Sequence, residues 1–203
     1  MFILKLVKAL PSELCSFLEA IIAWCPGRTG CLIRRLGYSF LFKKCGVNFT
    51  SGTGVTIKGC SNISVGDRCS IMQKSSLYAR DSVLEIGDNF SMNENSVLGA
   101  DSGSLHIGNN VAIAQNVVLR TADHGHASID KPIREQGHIG GKIVIEDGVW
   151  ICANCVITKD VIVGRDSIVA AGSVVTENVP PLTMVGGVPA KVIKKRVKQS
   201  VKK

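Results

Sequence analysis

The chain has 203 residues, of which 45% are hydrophobic and only 5% aromatic, and its formal net charge is +8. This length fits one folded domain with an appendage. The positive charge raises the question of nucleic-acid binding, but the sequence contains no nucleic-acid motif, and we expect no such partner. The eight cysteines are scattered, and without a secretory signal they indicate a reducing, cytoplasmic location rather than a disulfide framework.

Residues 1–46 are predicted to form an N-terminal amphipathic helical segment. Ser12 can cap a first helix, which Pro26 and Gly27 then end. One stripe of this helix consists of Leu14, Phe17, Leu18, Ile21 and Ile22. Charged side chains interrupt the apolar run before it reaches the roughly 18 residues of a spanning helix, so we do not expect a membrane span.

A second amphipathic segment follows, with Leu32, Leu36 and Phe40 as its predicted apolar face. Basic residues lie around this face: Arg28, Arg34, Arg35, Lys43 and Lys44. An apolar face with a basic flank suits peripheral contact with an anionic membrane, for example the inner face of a plasma membrane. Such helices also cap the open end of a repeat solenoid. The sequence leaves both roles open, and the two can coexist.

Large apolar residues, all but one of them branched aliphatics, recur at every sixth position within residues 47–185. The downstream positions are Ile145, Ile151, Ile157, Val163, Val169 and Val175. The upstream positions are Val65, Ile71, Leu77, Ile86, Met92, Leu98, Ile107, Ile113 and Leu119. A period of six fits neither a helix nor one amphipathic strand, and it predicts a triangular parallel β-helix of short strands. The three upstream sets start 21 residues apart, which indicates three extra residues at one corner, and a glycine follows each start.

The repeat is interrupted by "TADHGHASIDKPIREQGHIGG", residues 121–141. Residues 107 and 145 are 38 positions apart, whereas one turn needs about 18 residues. We therefore predict a loop over residues 120–142 that protrudes from the β-helix and carries chemistry. An imidazole, whose unperturbed pKa is about 6.5, can take a proton from an attacking hydroxyl. His106 and His138 are expected to be solvated residues without such a role.

The segment "KIVIEDGVWICANCVITKDVIVGRDSIVAAGSVVTENVPPLTMVGGVPAKVIKKR" resembles the hexapeptide-repeat acyltransferases. The segments "TADH" and "DHGH…DKPI…QG" resemble the maltose and galactoside acetyltransferases and, more closely, the O-antigen and colanic-acid type of polysaccharide O-acetyltransferase. The resemblance implies an all-β fold, a left-handed parallel β-helix with N-terminal amphipathic helices and a short basic C-terminal helix or tail at residues 186–203. It also implies a homotrimer that transfers acetyl from acetyl-CoA to a sugar hydroxyl during surface-glycan synthesis.

The resemblance also implies roles for individual residues. It makes His124 the general base, with His126 as the competing candidate. Acceptor contacts are expected from Asn93, Asn95, Asp123, His126 and Trp150. Acetyl-CoA contacts are expected from Ala153, Ala171, Gly172, Thr176, Lys191 and Lys194. Asn93 and Asn95 could equally be corner residues in the left-handed backbone region, and Trp150 could equally pack at a subunit seam.

Three alternatives remain beside O-acetylation: N-acetylation of an amino sugar or xenobiotic, a non-enzymatic trimeric scaffold, and a zinc carbonic anhydrase of the same fold. The last needs imidazoles spread over successive turns, whereas three of the four histidines lie in one loop, so we expect no metal. Cys152 and Glu177 stand where the family usually has a glycine and a basic residue, near the expected acetyl-CoA site.

Overall fold

The computed structural model describes residues 17–197. Three parallel sheets form the faces of a triangular left-handed β-helix of about six turns. Face A contains β1 (Lys44–Cys45), β4 (Ile63–Val65), β7 (Val83–Ile86), β10 (Ser104–Ile107), β15 (Lys142–Ile145) and β18 (Val161–Val163). Face B contains β2 (Thr50–Ser51), β5 (Ser70–Ile71), β8 (Ser91–Met92), β11 (Ala112–Ile113), β16 (Trp150–Ile151), β19 (Ile168–Val169), β21 (Thr183–Gly187) and β22 (Ala190–Lys195). Face C contains β3 (Thr56–Lys58), β6 (Ser76–Tyr78), β9 (Val97–Gly99), β12 (Val118–Arg120), β17 (Val156–Ile157) and β20 (Val174–Val175).

The core confirms the period of six. All fifteen predicted inward aliphatics are at most 4% exposed, and they stack in register on the three faces. The small residues predicted between them are also buried: Val149, Cys155, Val161, Ser167 and Ser173. The extra residues of the early turns lie where face C passes to face A, at 79–82 and 100–103. This edge is called corner CA, and the other two are corners AB and BC.

A glycine follows the first residue of each upstream set, and these glycines lie at corner AB, where one turn approaches the next closely. A Cβ on Gly66 would collide with the Asp88 carboxylate, and one on Gly108 would collide with Asp147. Those carboxylates accept hydrogen bonds from backbone N–H groups of the turn below, as Asp88 does from Asp67 at 2.8 Å. Positive φ angles fall at other positions, and the non-glycine residues among them are mostly asparagines and aspartates. These glycines are therefore required by close approach rather than by a left-handed backbone.

Two helices cover the first turn. Residues 17–24 are helical (α1), and α2 spans Gly27–Leu41. The predicted break at Pro26 is present, while Ser12 and Leu14 lie outside the described residues. The packing face of α2 consists of Gly30, Arg34 and Tyr38. The predicted position of Arg34 on the basic flank is wrong, because Arg34 is 1% exposed, whereas the predicted apolar face of Leu32, Leu36 and Phe40 is open to solvent.

Arg34 and Tyr38 hold α2 on the β-helix. The Arg34 guanidinium donates to the carbonyl oxygens of Ser51 (2.9 Å) and Cys25 (2.7 Å), and thereby joins the first turn to the end of α1. The Tyr38 ring stacks on Phe42 with centroids 5.6 Å apart and meets the edge of Phe49 at 6.2 Å. Burial raises the pKa of Tyr38 to about 12.

The ends of the β-helix differ from the predicted boundaries. Its first strand begins at Lys44, within the predicted helical segment. The predicted C-terminal helix is wrong for the described residues: Ala190–Lys195 is a strand, antiparallel to Thr183–Gly187. Residues 198–203 lie outside the description. Within residues 17–197 no helix is both long and apolar enough to cross a bilayer.

Candidate active site

The chain leaves the β-helix at corner CA after β12 and returns at β15. β13 (Ala122–His124) pairs antiparallel with β14 (His138–Gly140), with a 3₁₀ turn at Ile133–Glu135 between them. Thr121 anchors the base, because it is fully buried and its hydroxyl donates to the Asp101 carbonyl oxygen at 3.1 Å. The excursion that we predicted as a loop is thus a hairpin on a rigid base, which is a suitable platform for a functional side chain.

The hairpin register brings two histidines together. His124 lies directly opposite His138, and their ring centroids are 4.4 Å apart with the planes inclined by 36°. Both side chains are exposed, so a substrate can reach them from solvent. His138, which we expected to be a solvated residue without a role, is therefore in ring contact with His124.

Asp123 and His126, the other two predicted site residues of the hairpin, are not part of the contact between His124 and His138. Asp123 precedes His124 in the strand, so its side chain projects from the opposite face of the hairpin. The His126 Nδ1 atom lies 3.1 Å from the His124 carbonyl oxygen, which can accept a hydrogen bond from the tautomer protonated at Nδ1. This local contact directs His126 toward its own backbone rather than toward the His124 ring.

Gln136 closes the tip of the hairpin. Its amide group donates to the carbonyl oxygens of Ser128 and Lys131, both at 2.8 Å, and its carbonyl oxygen accepts from the Ser128 N–H at 3.0 Å. These three bonds fix the connection between β13 and β14 and hence the register that pairs the histidines. Sequence reasoning missed the roles of Gln136 and His138, although the "QG" motif that we quoted contains the glutamine.

The predicted acceptor residues outside the hairpin lie elsewhere on the chain. Asn93 and Asn95 lie at corner BC, and Asn95 has a φ of 58°, so it serves as a left-handed corner residue. Trp150 lies on face B between Ala112 and Ile168 of the adjacent turns and is 50% exposed. None of these three side chains shares a corner with His124.

The predicted acetyl-CoA residues also divide between corners. Ala153, Ala171 and Gly172 stack at corner BC, where the Gly172 N–H donates to the Ala153 carbonyl oxygen at 2.9 Å. A side chain at Gly172 would meet no atom within 4 Å, so the surface above this corner is open. Thr176 lies at corner CA of the last turn. Lys194 is exposed on β22.

Lys191 has a partner that the sequence did not predict. Its ammonium group lies 3.3 Å from both carboxylate oxygens of Glu177, and both side chains are well exposed. Glu177 is the residue that departs from the family pattern. An exposed ion pair of this kind contributes about 1 kcal/mol or less, so a phosphate can displace the carboxylate from Lys191.

The predicted site residues of one chain lie at two different corners of the β-helix. Equivalent positions of corner BC and corner CA are six residues apart along the chain, which at about 3.3 Å per residue is roughly 20 Å along face C. A nucleophile, a thioester and a general base must lie within about 3–3.5 Å of one another. The base of the hairpin that carries His124 is at corner CA, whereas Ala153, Ala171 and Gly172 are at corner BC.

Neither a metal nor a thiol centre is evident in the described residues. No group of three or more His, Cys, Asp or Glu side chains within residues 17–197 has the geometry to hold a metal ion. Cys155 is buried in the core, and burial raises the pKa of both Cys152 and Cys155. A raised pKa disfavours the thiolate that metal binding and redox chemistry require.

A depression of about 300 Å³ on face A is lined by Glu85, His106, Glu146, Asp147 and Arg165, among others. The His106 Nδ1 atom lies 2.9 Å from a Glu85 carboxylate oxygen, so this histidine belongs to a surface pair. No predicted site residue lines the depression. We therefore place the candidate chemistry at the hairpin.

Comparison with known proteins agrees with this architecture. Residues 142–177, which form the two turns after the hairpin, match the sequence profile described as bacterial transferase hexapeptide (six repeats). A 52-residue stretch is 58% identical to 2,3,4,5-tetrahydropyridine-2,6-dicarboxylate N-acetyltransferase of Staphylococcus aureus. That stretch covers 26% of this chain and 22% of the relative, so the match spans less than a quarter of the relative's length.

Solved structures match over more of the chain. A hexapeptide-repeat acetyltransferase of Vibrio cholerae O1 biovar eltor, complexed with acetyl-CoA, is 28% identical and covers 95% of this chain and 90% of its own, with a TM-score of 0.64. A galactoside acetyltransferase in complex with CoA is 25% identical over 93% and 82% of the two chains, with a TM-score of 0.62. AntD, a Bacillus cereus N-acyltransferase, shares the fold at 20% identity over 81% and 89%, with a TM-score of 0.71.

These findings show a resemblance and a shared fold. Residues 142–177 match the hexapeptide-repeat profile, and the chain has the left-handed β-helix of structural neighbours that include hexapeptide-repeat acetyltransferases. The resemblance to the maltose and galactoside acetyltransferases that the sequence predicted is confirmed at this level.

Proposed function

We propose that the protein transfers an acetyl group from acetyl-CoA to a sugar hydroxyl in the synthesis of a surface glycan. The observation that carries the proposal is the hairpin at corner CA, which presents His124 to solvent in ring contact with His138. Support for the donor comes from the Vibrio acetyltransferase, which covers most of this chain and is complexed with acetyl-CoA. Support for a hydroxyl acceptor comes from the galactoside acetyltransferase.

The reaction needs no covalent intermediate with the protein. His124 accepts the proton of the acceptor hydroxyl as its oxygen attacks the thioester carbonyl carbon. A C–O bond forms, the C–S bond breaks, and the proton passes from the imidazolium to the leaving CoA sulfur. A backbone N–H, or an Asn93 or Asn95 amide group, stabilises the oxyanion. His138 holds the His124 ring at the angle that this transfer requires.

The active protein is a homotrimer whose sites form between subunits. This part of the proposal rests on the separation of the corners, because His124 of one chain must meet corner BC of another to reach acetyl-CoA. Corner BC contributes Ala153, Ala171 and Gly172, and Lys191 and Lys194 neutralise CoA phosphates. The half-exposed Trp150 lines the same seam on the acceptor side.

Complementation between two inactive variants tests the shared site. His124→Ala removes the base, and Ala171→Trp fills the open surface at corner BC. In trimers that contain both variants at random, about a quarter of the interfaces combine an intact His124 with an intact Ala171. Co-expression should therefore restore about a quarter of the wild-type activity. If each site were contained in one chain, the co-expressed variants would remain inactive. That result would refute the shared arrangement.

Two other functions remain to be separated from this one. N-acetylation is favoured by the 58% identical stretch of the N-acetyltransferase, and products from amine and hydroxyl acceptors distinguish the two reactions. A non-enzymatic scaffold would not bind the donor. We expect a saturable increase in melting temperature on addition of CoA, because a ligand that binds only the folded state stabilises it. The absence of any increase at millimolar CoA would favour the scaffold.

A further inference from the structure

The α2 helix has a second apolar face that the fold does not use. Its packing face consists of Gly30, Arg34 and Tyr38, which suffice to cover the first turn. On the opposite side Leu32 is 56% exposed and Leu36 is 52% exposed, and they follow one another at a spacing of four residues. Phe40 continues the row and is 87% exposed. A capping role therefore leaves this row unburied.

The neighbouring helix enlarges the exposed apolar surface. Four large side chains of α1 are also more than half exposed: Phe17, Leu18, Ile21 and Trp24. α1 is fixed beside the first turn, because the Gly54 N–H donates to the Ala23 carbonyl oxygen at 2.7 Å and Glu19 pairs with Lys58 at 2.5 Å. We call the exposed apolar side chains of α1 and α2 together the cap surface. The two helices are close together, because the Ile22 side chain lies against Gly37, and large apolar side chains exposed on both of them mark a candidate interaction site.

Apart from Glu19, which pairs with Lys58, the charged side chains of the described residues around the cap surface are basic. The sequence contains no Asp or Glu from residue 20 to residue 66. Arg34 is buried and Lys58 is paired with Glu19, but Arg28, Arg35, Lys43 and Lys44 are all exposed. A second copy of this surface would bring like charges together, which opposes self-association. A partner with an anionic surface and an apolar interior matches both the basic charge and the exposed apolar side chains.

We propose that the cap surface docks the protein on an anionic phospholipid bilayer. The apolar side chains enter the boundary between headgroups and acyl chains, and the four basic side chains contact lipid phosphates. The cap closes one end of the β-helix, so docking directs the coil axis away from the bilayer and leaves the hairpin free. This inference does not depend on the proposed acetyl transfer, because it rests on the cap alone.

The experiment is vesicle flotation of the full-length chain with vesicles of phosphatidylcholine alone and of phosphatidylcholine with 30% phosphatidylglycerol. We expect flotation with the anionic vesicles and at least about tenfold weaker partition to the neutral ones. Raising the salt from about 0.1 M to 0.5 M should weaken binding, since it screens the lysines and arginines. Equal partition to both vesicles, or to neither, would overturn the proposal.

Variants assign the binding to the cap surface. The double substitution Leu36→Ser and Phe40→Ser should reduce partition to anionic vesicles by about tenfold or more. Lys43→Gln with Lys44→Gln gives an independent test of the charge. Val197→Ser, at a residue 78% exposed at the opposite end of the β-helix, is the matched control and should bind as wild type.

Folding and assembly are checked on the same samples. The substituted side chains are exposed, so the thermal midpoints should match wild type; an unchanged partition of the folded double variant would overturn the proposal. Light scattering gives the oligomeric state in the absence of lipid. A loss of subunits in the Leu36→Ser, Phe40→Ser variant would identify the cap surface as a protein interface and would also overturn it.

Discussion

Replacement of Arg34 by methionine tests how the helical cap is attached to the β-helix. The guanidinium is buried, and its two short hydrogen bonds join the Cys25 carbonyl oxygen at the end of α1 to the Ser51 carbonyl oxygen of the first turn. Methionine has a similar length but no donor, so the buried Ser51 carbonyl and the partly buried Cys25 carbonyl would lose these bonds. The variant thus removes the link while keeping most of the volume.

The expected loss of unfolding free energy follows from these contacts. A hydrogen bond from a charged donor contributes about 1.5–3 kcal/mol, so two contribute about 3–6 kcal/mol. Removing a buried charge also recovers part of its desolvation cost, which offsets some of this loss. We therefore expect the Arg34→Met variant to lose about 2–4 kcal/mol of unfolding free energy, equivalent to about 4–16 °C in melting temperature for a chain of this size.

Arg35 provides the matched control on the same helix. Its side chain is exposed, and its one hydrogen bond, to the Asn48 side-chain oxygen, is 3.3 Å long. Arg35→Met removes the same charge and should change the melting temperature by less than about 2 °C. Calorimetry of both variants compares them directly. Equal melting temperatures for the two variants would refute the assignment of Arg34 as the link.

Three further predictions concern the hairpin, the ion pair and the buried tyrosine. His124→Ala should reduce kcat by about 10²–10⁴-fold and leave the KM for acetyl-CoA nearly unchanged, whereas His126→Ala should cost far less; steady-state kinetics that show the reverse order would make His126 the base. Glu177→Gln frees Lys191 for phosphate and should lower the Kd for CoA by up to about fivefold in calorimetric titration; a Kd higher than that of wild type would contradict this. Burial favours the neutral phenol of Tyr38, so the stability that it contributes is full below pH 10 and is lost toward pH 12. The free energy of urea unfolding should therefore decrease less steeply between pH 9 and 11 in Tyr38→Phe than in wild type. Parallel plots of unfolding free energy against pH for the two proteins would be inconsistent with the raised pKa.

The β-helix could be predicted from the sequence because the residues that define each turn are close together in the chain. One aliphatic residue at every sixth position, such as Ile145, Ile151 and Ile157, is sufficient to define three short inward-facing strands per turn. The extra residues of the early turns and the excursion after Leu119 appear as changes in spacing, which a sequence displays directly. These features need no knowledge of distant partners.

The packing faces of the cap and the C-terminal strand could not be predicted in the same way. A helical wheel places Leu32, Leu36 and Phe40 on an apolar face and Arg34 on its basic flank, and it does not show which face packs. The structure buries Arg34, which donates to carbonyl oxygens 9 and 17 residues away in the sequence, and these partners cannot be read from the helix alone. The resemblance implied a short helix or tail over residues 186–203, but pairing with β21 makes Ala190–Lys195 a strand. Tertiary partners overrode local propensity in both places.

The candidate site was predicted in part. The excursion and His124 were evident from the spacing and from the resemblance, whereas the His138 contact depends on the hairpin register that Gln136 fixes. The separation of His124 from the corner BC residues is likewise a property of the triangular cross-section. A sequence that places residues 124 and 171 in one functional set does not show that they occupy different corners.

Product analysis tests the proposed acetyl transfer most directly. Wild type and His124→Ala are incubated with acetyl-CoA and a panel of sugars and amino sugars, and CoA thiol release and the mass of each product are measured. Acetyl transfer to a hydroxyl predicts acceptor-dependent thiol release and a product 42 mass units heavier that mild base hydrolyses, as expected of an O-acetyl ester, with both signals reduced at least about 100-fold in the variant. A base-stable amide, or thiol release that His124→Ala does not affect, would contradict the account.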